Sequence, residues 1–365
     1  MTWKTSRATL SRRKLLAGAS AGLVAPFLGV RTQADTLPSL AEIAAMRGIT
    51  FGSCVPPYAD AEYLELLRHQ SSIVTAEWGM KPADIAPDPT TRTWETADWV
   101  DAFANSRGLA LHGHTLFWHE RALDWTYSED WEAVQARYGG YIRAVAARYP
   151  NCVSWDVLNE VIGETSPFRD LNFLNRYGLD FIAFCFREAH AAMPGADLIL
   201  NDFNLSCLAD WCGEKRGYAL DALSALRAEK VPVHGLGVQG HLSALHPSSG
   251  ASVVELLGLA AELGVAGYIS ELDVNDHILP ESILERDAAV AEIYHEYLRE
   301  VLRAPSLRRV MVWGLADPHS WITLGYAMDK RPPETGLARP SLFDQDLQPK
   351  PAFWAVKAAL ESNPI

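Results

Sequence analysis

Eight short, β-rich apolar runs alternate with longer stretches of helical periodicity along this chain, and no other feature narrows its fold so far. The runs cover 49–54, 72–77, 110–116, 152–159, 198–202, 235–239, 267–272 and 309–313. Apolar residues recur at helical spacing over 61–69, 96–107, 131–149, 174–193, 214–229, 253–263 and 284–303, and a last helix is expected over 351–361. A strand that is apolar along its whole length, rather than at every second residue, is covered on both faces, which is the condition of a parallel sheet wrapped by helices. Eight such strand-helix units close into a single (β/α)8 TIM barrel, a fold that uses about 250 residues or more as one unit. The chain has 365 residues and neither an internal repeat nor a Pro/Gly/Ser-rich linker between the units, so residues 35–365 read as one α/β domain without an appended binding module.

Residues 1–34 stand apart from this pattern. They hold six basic residues (Lys4, Arg7, Arg12, Arg13, Lys14 and Arg31) and no acid. Ser11-Arg12-Arg13-Lys14-Leu15-Leu16 has the form of a twin-arginine export signal. A mostly apolar stretch to Val30 follows, then Thr32-Gln33-Ala34, a small-residue cleavage pattern that places a mature start near Asp35. Pro26 and Gly29 break the apolar stretch, which is too short to span a bilayer. A cleaved signal peptide over 1–34 and a periplasmic or secreted mature protein are therefore expected. The formal charge of -13 becomes about -19 once that segment is removed. A surface of that sign repels phosphate backbones and anionic lipid headgroups, which argues against a nucleic-acid partner and against membrane association after export. Neutral ligands fit better, and a monomer is expected.

The five cysteines are too few for a disulfide scaffold, and none stands in a Cys-x-x-Cys zinc or redox spacing. Cys207 and Cys212 are close enough to pair across a loop after export, whereas Cys54, Cys152 and Cys185 lie in apolar strand or helix patterns and read as buried small hydrophobes.

In a parallel barrel the active site lies at the C-terminal ends of the strands. The residues there are Glu77, His114, Asn159, Glu160, Asn201, Asp202, Gln239, His241, Glu271 and Trp313. Polar groups at all these ends, after apolar strands, are hard to explain as packing. Glu160 ends Trp-Asp-Val-Leu-Asn-Glu and Glu271 lies in Tyr-Ile-Ser-Glu-Leu-Asp; they are 111 residues apart in sequence but face each other across the mouth of a barrel. A buried, salt-bridged structural role would account for either one alone. The two together, one beside Asn159, fit better the proton donor and nucleophile of a retaining glycosidase, whose carboxyls stand about 5 to 5.5 Å apart. Tryptophans assigned to loops (Trp78, Trp118, Trp125, Trp211, Trp313 and Trp321) suit a sugar cleft, because pyranose faces are apolar and stack on indole rings. Trp94, Trp99, Trp131, Trp155 and Trp354 read as core or helix-packing residues.

Six segments carry a wider resemblance. They are Leu-His-Gly-His-Thr-Leu-Phe-Trp-His (111–119), Trp-Asp-Val-Leu-Asn-Glu (155–160), Asn-Asp-Phe-Asn (201–204), Gly-Val-Gln-Gly-His-Leu (237–242), Ser-Glu-Leu-Asp-Val (270–274) and Trp-Gly-Leu-Ala-Asp-Pro-His-Ser-Trp (313–321). In order and spacing they resemble the glycoside hydrolase family 10 endo-β-1,4-xylanases, as do Leu-Phe-Asp (342–344) and Pro-Lys-Pro-Ala-Phe (349–353). The resemblance implies a retaining enzyme without a cofactor or metal, acting on xylan or xylo-oligosaccharides. It implies Glu160 as general acid and then base, Glu271 as nucleophile, and His241 and Asp273 as the residues that orient Glu271. Asn159 would bond the sugar 2-OH, while His114, Trp118, Asn204, Gln239, Trp313 and Trp321 would line the sugar sites. Glu77 and Lys81 match the family's Glu-x-x-x-Lys after the second strand, which contacts the non-reducing side of the chain.

The sequence departs from that family where Trp78 takes the place of an Asn that bonds the second sugar, Pro82 of a Trp and His112 of an Arg. Phe203, Gly240, Pro318 and His319 stand where Tyr, Ser, Lys and Tyr are more usual. Subsite preference is what these changes put in question, including a preference for short or decorated oligosaccharides or a related β-glycan. Two other classes compete. His112-Gly113-His114 with His241 and Asp273 superficially resembles the ligand set of a metal-dependent amidohydrolase, although that set begins on the first strand and this one on the third. A non-catalytic carbohydrate-binding barrel is disfavoured by the presence of both glutamates.

Overall fold

A computed structural model describes residues 37–123, 130–243, 247–323 and 338–362; the signal-like segment 1–34 and Trp125 lie outside the described residues. Eight parallel strands form the expected closed barrel: β1 (Thr50–Val55), β2 (Ile73–Ala76), β3 (Ala110–His114), β4 (Ser154–Asn159), β5 (Asp197–Asp202), β6 (Gly235–Val238), β7 (Ala266–Asn275) and β8 (Leu307–Val312). Each pairs with the next, and β8 closes on β1 through Thr50–Ser53 opposite Arg309–Val312. The eight apolar runs of the sequence all fall on these strands.

Helices cover the outside of the barrel, and some begin where a polar side chain takes up a free N–H group. Asp60 caps Ala61–Gln70 through Tyr63 N at 2.8 Å, and Asp130 caps Trp131–Arg148 through Ala133 N at 2.8 Å. A six-residue helix, Leu40–Ala45, precedes β1 and ties to the second helix through Leu40 N and the Gln70 side chain; it is too short for its periodicity to show in the sequence. Of the tryptophans read as packing, Trp155 is fully buried, Trp94 meets Tyr149 edge-on and Trp131 lies against Tyr177. Trp99 and Trp354 instead sit on outer helix faces, 36% and 47% exposed. Trp211 is not on a loop: it lies in the first turn of the helix Asp210–Ala228 and takes no part in the lining of the barrel mouth.

Irregularities in the strands decide what faces the barrel axis. Asp156 and Asn159 are three residues apart, which strict alternation would put on opposite faces; a register shift between Asp156 and Leu158 turns both inward. A second break follows β6, where Gly240 has φ 77 before a short continuation, His241–Ser243, that pairs with Asp273–Asn275. Gly113 is required for a different reason. A Cβ there would lie 2.1 Å from the Trp155 ring, so only glycine lets that indole cover β3 between His112 and His114. Cys207 and Cys212 form a disulfide, and Cys54, Cys152 and Cys185 are buried thiols.

Candidate active site

The C-terminal mouth of the barrel opens into a cavity of about 500 Å³ whose lining includes fourteen residues singled out in the sequence: Glu77, Trp78, Lys81, His114, Trp118, Asn159, Glu160, Asn204, Gln239, His241, Glu271, Trp313 and Trp321 are joined there by Phe203. Asp273 is buried behind the lining, in contact with His241 and Trp321. Glu120 and Arg169 complete the lining and were not expected.

Glu271 projects from the middle of β7. Its Oε1 accepts a hydrogen bond from Asn201 Nδ2 at 2.7 Å, and its Oε2 lies 3.4 Å from His241 Nε2. The other nitrogen of that imidazole meets Asp273 Oδ1 at 2.9 Å, and Trp321 Nε1 donates to Asp273 Oδ2 at 2.6 Å. Burial disfavours the charged form of both Glu271 and His241. For Glu271 the imidazoles of His114 and His241 outweigh burial and hold the carboxyl below its ordinary range. For His241 the carboxylates of Asp273 and Glu271 outweigh it and push the imidazole up to about 10. His241 thus lies between two carboxyl groups that favour its charged form.

Glu160 follows β4 directly and has a left-handed backbone, φ 60. A side chain in that region is strained, and such positions persist where the surroundings fix them. Here Glu160 N donates to Asn201 O at 2.9 Å, and Glu160 O accepts from Arg169 Nε at 2.9 Å. Gln239 Nε2 lies 3.1 Å from Glu160 Oε1, and the same amide donates to Asn159 Oδ1 at 3.1 Å. The buried indole N–H of Trp118 faces the carboxyl without reaching good hydrogen-bond geometry. Burial dominates this group: it raises the Glu160 pKa against the lowering by Trp118 and Gln239, with the nearby charges of Asp202 and Glu271 adding to the rise.

Asn201 links the two glutamates. Its Nδ2 also donates to Asn159 Oδ1 at 2.9 Å, while its Oδ1 accepts from Ser270 Oγ at 2.6 Å, which fixes the amide orientation. Asn201 stands among the polar strand ends of the sequence, yet nothing there reveals this bridging. Asp156 carries a clearer signal, a carboxylate inside the apolar run Trp-Asp-Val-Leu. Its Oδ2 receives both His112 Nε2 at 3.1 Å and His114 Nδ1 at 2.8 Å, and these imidazoles overcome burial to hold the Asp156 pKa far below the ordinary range.

That arrangement also corrects the metal reading. His112 and His114 converge on Asp156, whereas His241 sits between Asp273 and Glu271, so the four do not share one centre. The described residues bring His114, Asp156 and Glu271 within 4.8 Å of one another. That group takes only one of the four expected ligands, His114, whose Nδ1 is already bonded to Asp156 Oδ2.

At one end of the cleft, Glu77 is buried with no hydrogen bond to Oε2, and burial, partly offset by Lys81, raises its pKa to about 7. Lys81 donates to the Glu77 carbonyl oxygen and lies 4.7 Å over the Trp78 ring and 5.2 Å over the Trp118 ring. Trp78 is half-buried, with the Arg121 guanidinium 5.8 Å from its ring centre. It faces both this cleft and a second depression formed with Pro57, Gly79, Asp84, Thr93 and Thr96. Also in the lining, His114 meets Trp313 edge-on at 5.3 Å.

Across this cleft one carboxyl is biased to keep its proton and another, tied to it through Asn201 and Gln239, is biased to lose it. A parallel barrel with that division at its mouth is, as a class, a carboxylate-pair glycosidase. The chain belongs to glycosyl hydrolase family 10, matched over residues 39–359. It is similar to endo-1,4-β-xylanase 5 of Pyricularia oryzae, 30% identical over 339 residues that cover 91% of this chain and 80% of that protein. It is equally similar to a β-1,4-xylanase of Dictyoglomus thermophilum, 30% identical with 90% and 93% covered. Xylanase 10B of Thermotoga petrophila, solved in complex with xylobiose, superposes with a TM-score of 0.79 at 27% identity over 89% of this chain and 98% of that one. A family 10 xylanase of Thermobacillus composti gives a TM-score of 0.75 at 32% identity, with 88% and 100% covered.

Proposed function

We propose that this protein is an endo-1,4-β-xylanase that cleaves internal bonds of xylan or xylo-oligosaccharides with retention, through Glu160 as acid and base and Glu271 as nucleophile. The observation that carries the reading is the placement of two glutamates at the mouth of the barrel, Glu160 beside the Gln239 amide and Glu271 held between Asn201 and His241, surroundings that push Glu160 up and Glu271 down in pKa. In the first step a Glu271 oxygen attacks the anomeric carbon while the bond to the leaving sugar breaks, its electron pair passes to the glycosidic oxygen, and Glu160 protonates that oxygen. In the second, the Glu160 carboxylate takes a proton from the attacking water, and Glu271 departs as a carboxylate. Asn159 bonds the sugar 2-OH, His241 and Asp273 keep Glu271 oriented and ionised, and the indoles of Trp118, Trp313 and Trp321 hold the sugar rings. The relatives named as xylanases support the substrate.

Proton NMR of the first product tests the mechanism. A β-anomer is expected, and an α-anomer would overturn retention. Glu271→Gly should abolish attack on every substrate, whereas Glu160→Ala should spare aryl xylosides whose leaving groups need no proton and form a β-xylosyl azide when azide is added.

Export through residues 1–34 is part of the same reading, supported by Arg12-Arg13 and the acid-free flank. The paired Arg12→Lys and Arg13→Lys change should keep the enzyme in the cytoplasm of a bacterial host, and periplasmic activity from that variant would refute twin-arginine export.

A further inference from the structure

Beyond the two glutamates, the cleft holds a cation that the sequence motifs do not include. After Glu160 the chain makes a short excursion in which Ile162 pairs with Phe168 and Arg169 N donates to Val161 O, and this brings Arg169 back onto Glu160. The guanidinium then touches Glu160 twice. Its Nε donates to the Glu160 carbonyl oxygen at 2.9 Å, and its Nη2 lies 3.8 Å from Glu160 Oε2. The Phe203 ring, 5.2 Å away, supports it from the side, and the far more buried Lys215 lies 3.7 Å from the same ring.

The other charged groups around Glu160 do not replace it. His119 Nδ1 is also 3.8 Å from Oε2, but burial, with help from the Arg169 and Lys215 charges, lowers its pKa to about 4, so it is neutral near pH 7. Asp202 is paired with Lys215 at 2.7 Å, and Glu271 faces the site as an anion. Glu120 meets the far side of His119 at 3.9 Å. Among the described residues, Arg169 is therefore the permanent cation within ion-pair reach of the Glu160 carboxyl.

We propose that Arg169 is a positioning residue for Glu160: through Nε it holds the left-handed backbone that aims the side chain, and through Nη2 it receives the carboxylate once the proton has gone to the leaving sugar. This rests on the reading of Glu160 as acid and base. At 3.8 Å the contact is loose, and closing by about 1 Å would make a charge-assisted hydrogen bond to the Glu160 anion. Arg169 then acts most strongly when Glu160 is ionised, which is the state that activates water in the second step.

The test uses Arg169→Gln and Arg169→Lys in the otherwise intact enzyme, with Glu160→Ala beside them. With a dinitrophenyl xylobioside, whose cleavage needs no acid, breakdown of the glycosyl-enzyme limits turnover. Arg169→Gln should therefore lower kcat by about tenfold and leave kcat/KM within about threefold. On a poor leaving group, the basic limb of kcat/KM should move up by about half a pH unit, because removing a nearby cation raises the acid's pKa. Arg169→Lys should return that limb towards its original place. A uniform loss on both substrates with an unmoved limb would mean that Arg169 only supports the loop and would overturn the proposal. If Glu160→Ala shows no dependence on leaving group, the assignment of Glu160 itself fails; if it does and Arg169→Gln does not split kcat from kcat/KM, only the role of Arg169 fails.

Discussion

His241 Nε2 stands 3.4 Å from Glu271 Oε2, and the imidazole's other nitrogen is anchored 2.9 Å from Asp273 Oδ1. The imidazole thus bridges two carboxyl groups at the barrel mouth. His241 is charged because both neighbours favour its cation over the cost of burial, and Glu271 is charged partly because His241 is. The pair therefore titrates as a unit.

Replacing His241 with Gln leaves a hydrogen-bond donor but removes the charge. The Glu271 pKa should then rise, so the acid limb of the pH-rate profile should move to higher pH. The rate should fall roughly 100-fold, the scale of losing one preorganised donor at a reacting oxygen. An unmoved acid limb in steady-state kinetics would separate His241 from the ionisation of Glu271.

Trp78 is expected to shape the end of the cleft that holds Glu77 and Lys81. Lys81 lies 4.7 Å over its ring, so the indole is held in the wall rather than turned beneath the loop. Trp78→Asn exchanges an apolar face for a small amide, and the two effects are of similar size, about 1 kcal/mol each. Overall affinity should change little, whereas the cleavage position on xylotriose and xylotetraose should shift. Product distributions identical to the unaltered enzyme would place Trp78 outside the sugar path.

Lys215 and Asp202 form an ion pair at 2.7 Å with neither side chain exposed. Asp202 Oδ2 also accepts from Ile162 N at 2.9 Å, at the start of the excursion that carries Arg169. Lys215→Met would leave a buried carboxylate without its counter-ion, a loss of about 3 to 5 kcal/mol. Urea unfolding at pH 7 should register that loss, and an unchanged midpoint would show that the pair contributes nothing net.

His112 gives the fold an acid-sensitive element. Burial lowers its pKa, with Asp156 opposing and Arg309 and His114 adding to the fall, so the folded protein holds it neutral while the unfolded chain protonates it below about pH 6.5. A depressed folded pKa means that its contribution is complete above the unfolded value and is lost as pH falls through the folded one. Stability should drop between pH 7 and pH 5, by about 1.4 kcal/mol for each unit of depression that is titrated. His112→Gln should flatten that slope in chemical unfolding; an equally steep slope would assign the acid sensitivity elsewhere.

The eight strands were legible in the sequence because a strand buried on both faces writes itself as an unbroken apolar run, and a polar residue at the end of such a run is costly unless it has a task. That logic found Glu160, Glu271, Gln239 and His241, and it found the Cys207–Cys212 pair by nearness in the chain. Trp211 was misplaced because a loop and the first turn of a helix look alike around a single aromatic residue. What only the tertiary structure decided is which polar groups meet. His112 and His114 turn to Asp156 and away from His241, Asn201 bridges residues of β4 and β7, and Arg169 returns to the backbone of Glu160. Local periodicity records whether a residue faces inward, but the register shifts in β4 and beyond β6 and the closure of the barrel set the partner it finds there, and those depend on contacts between segments far apart in the chain.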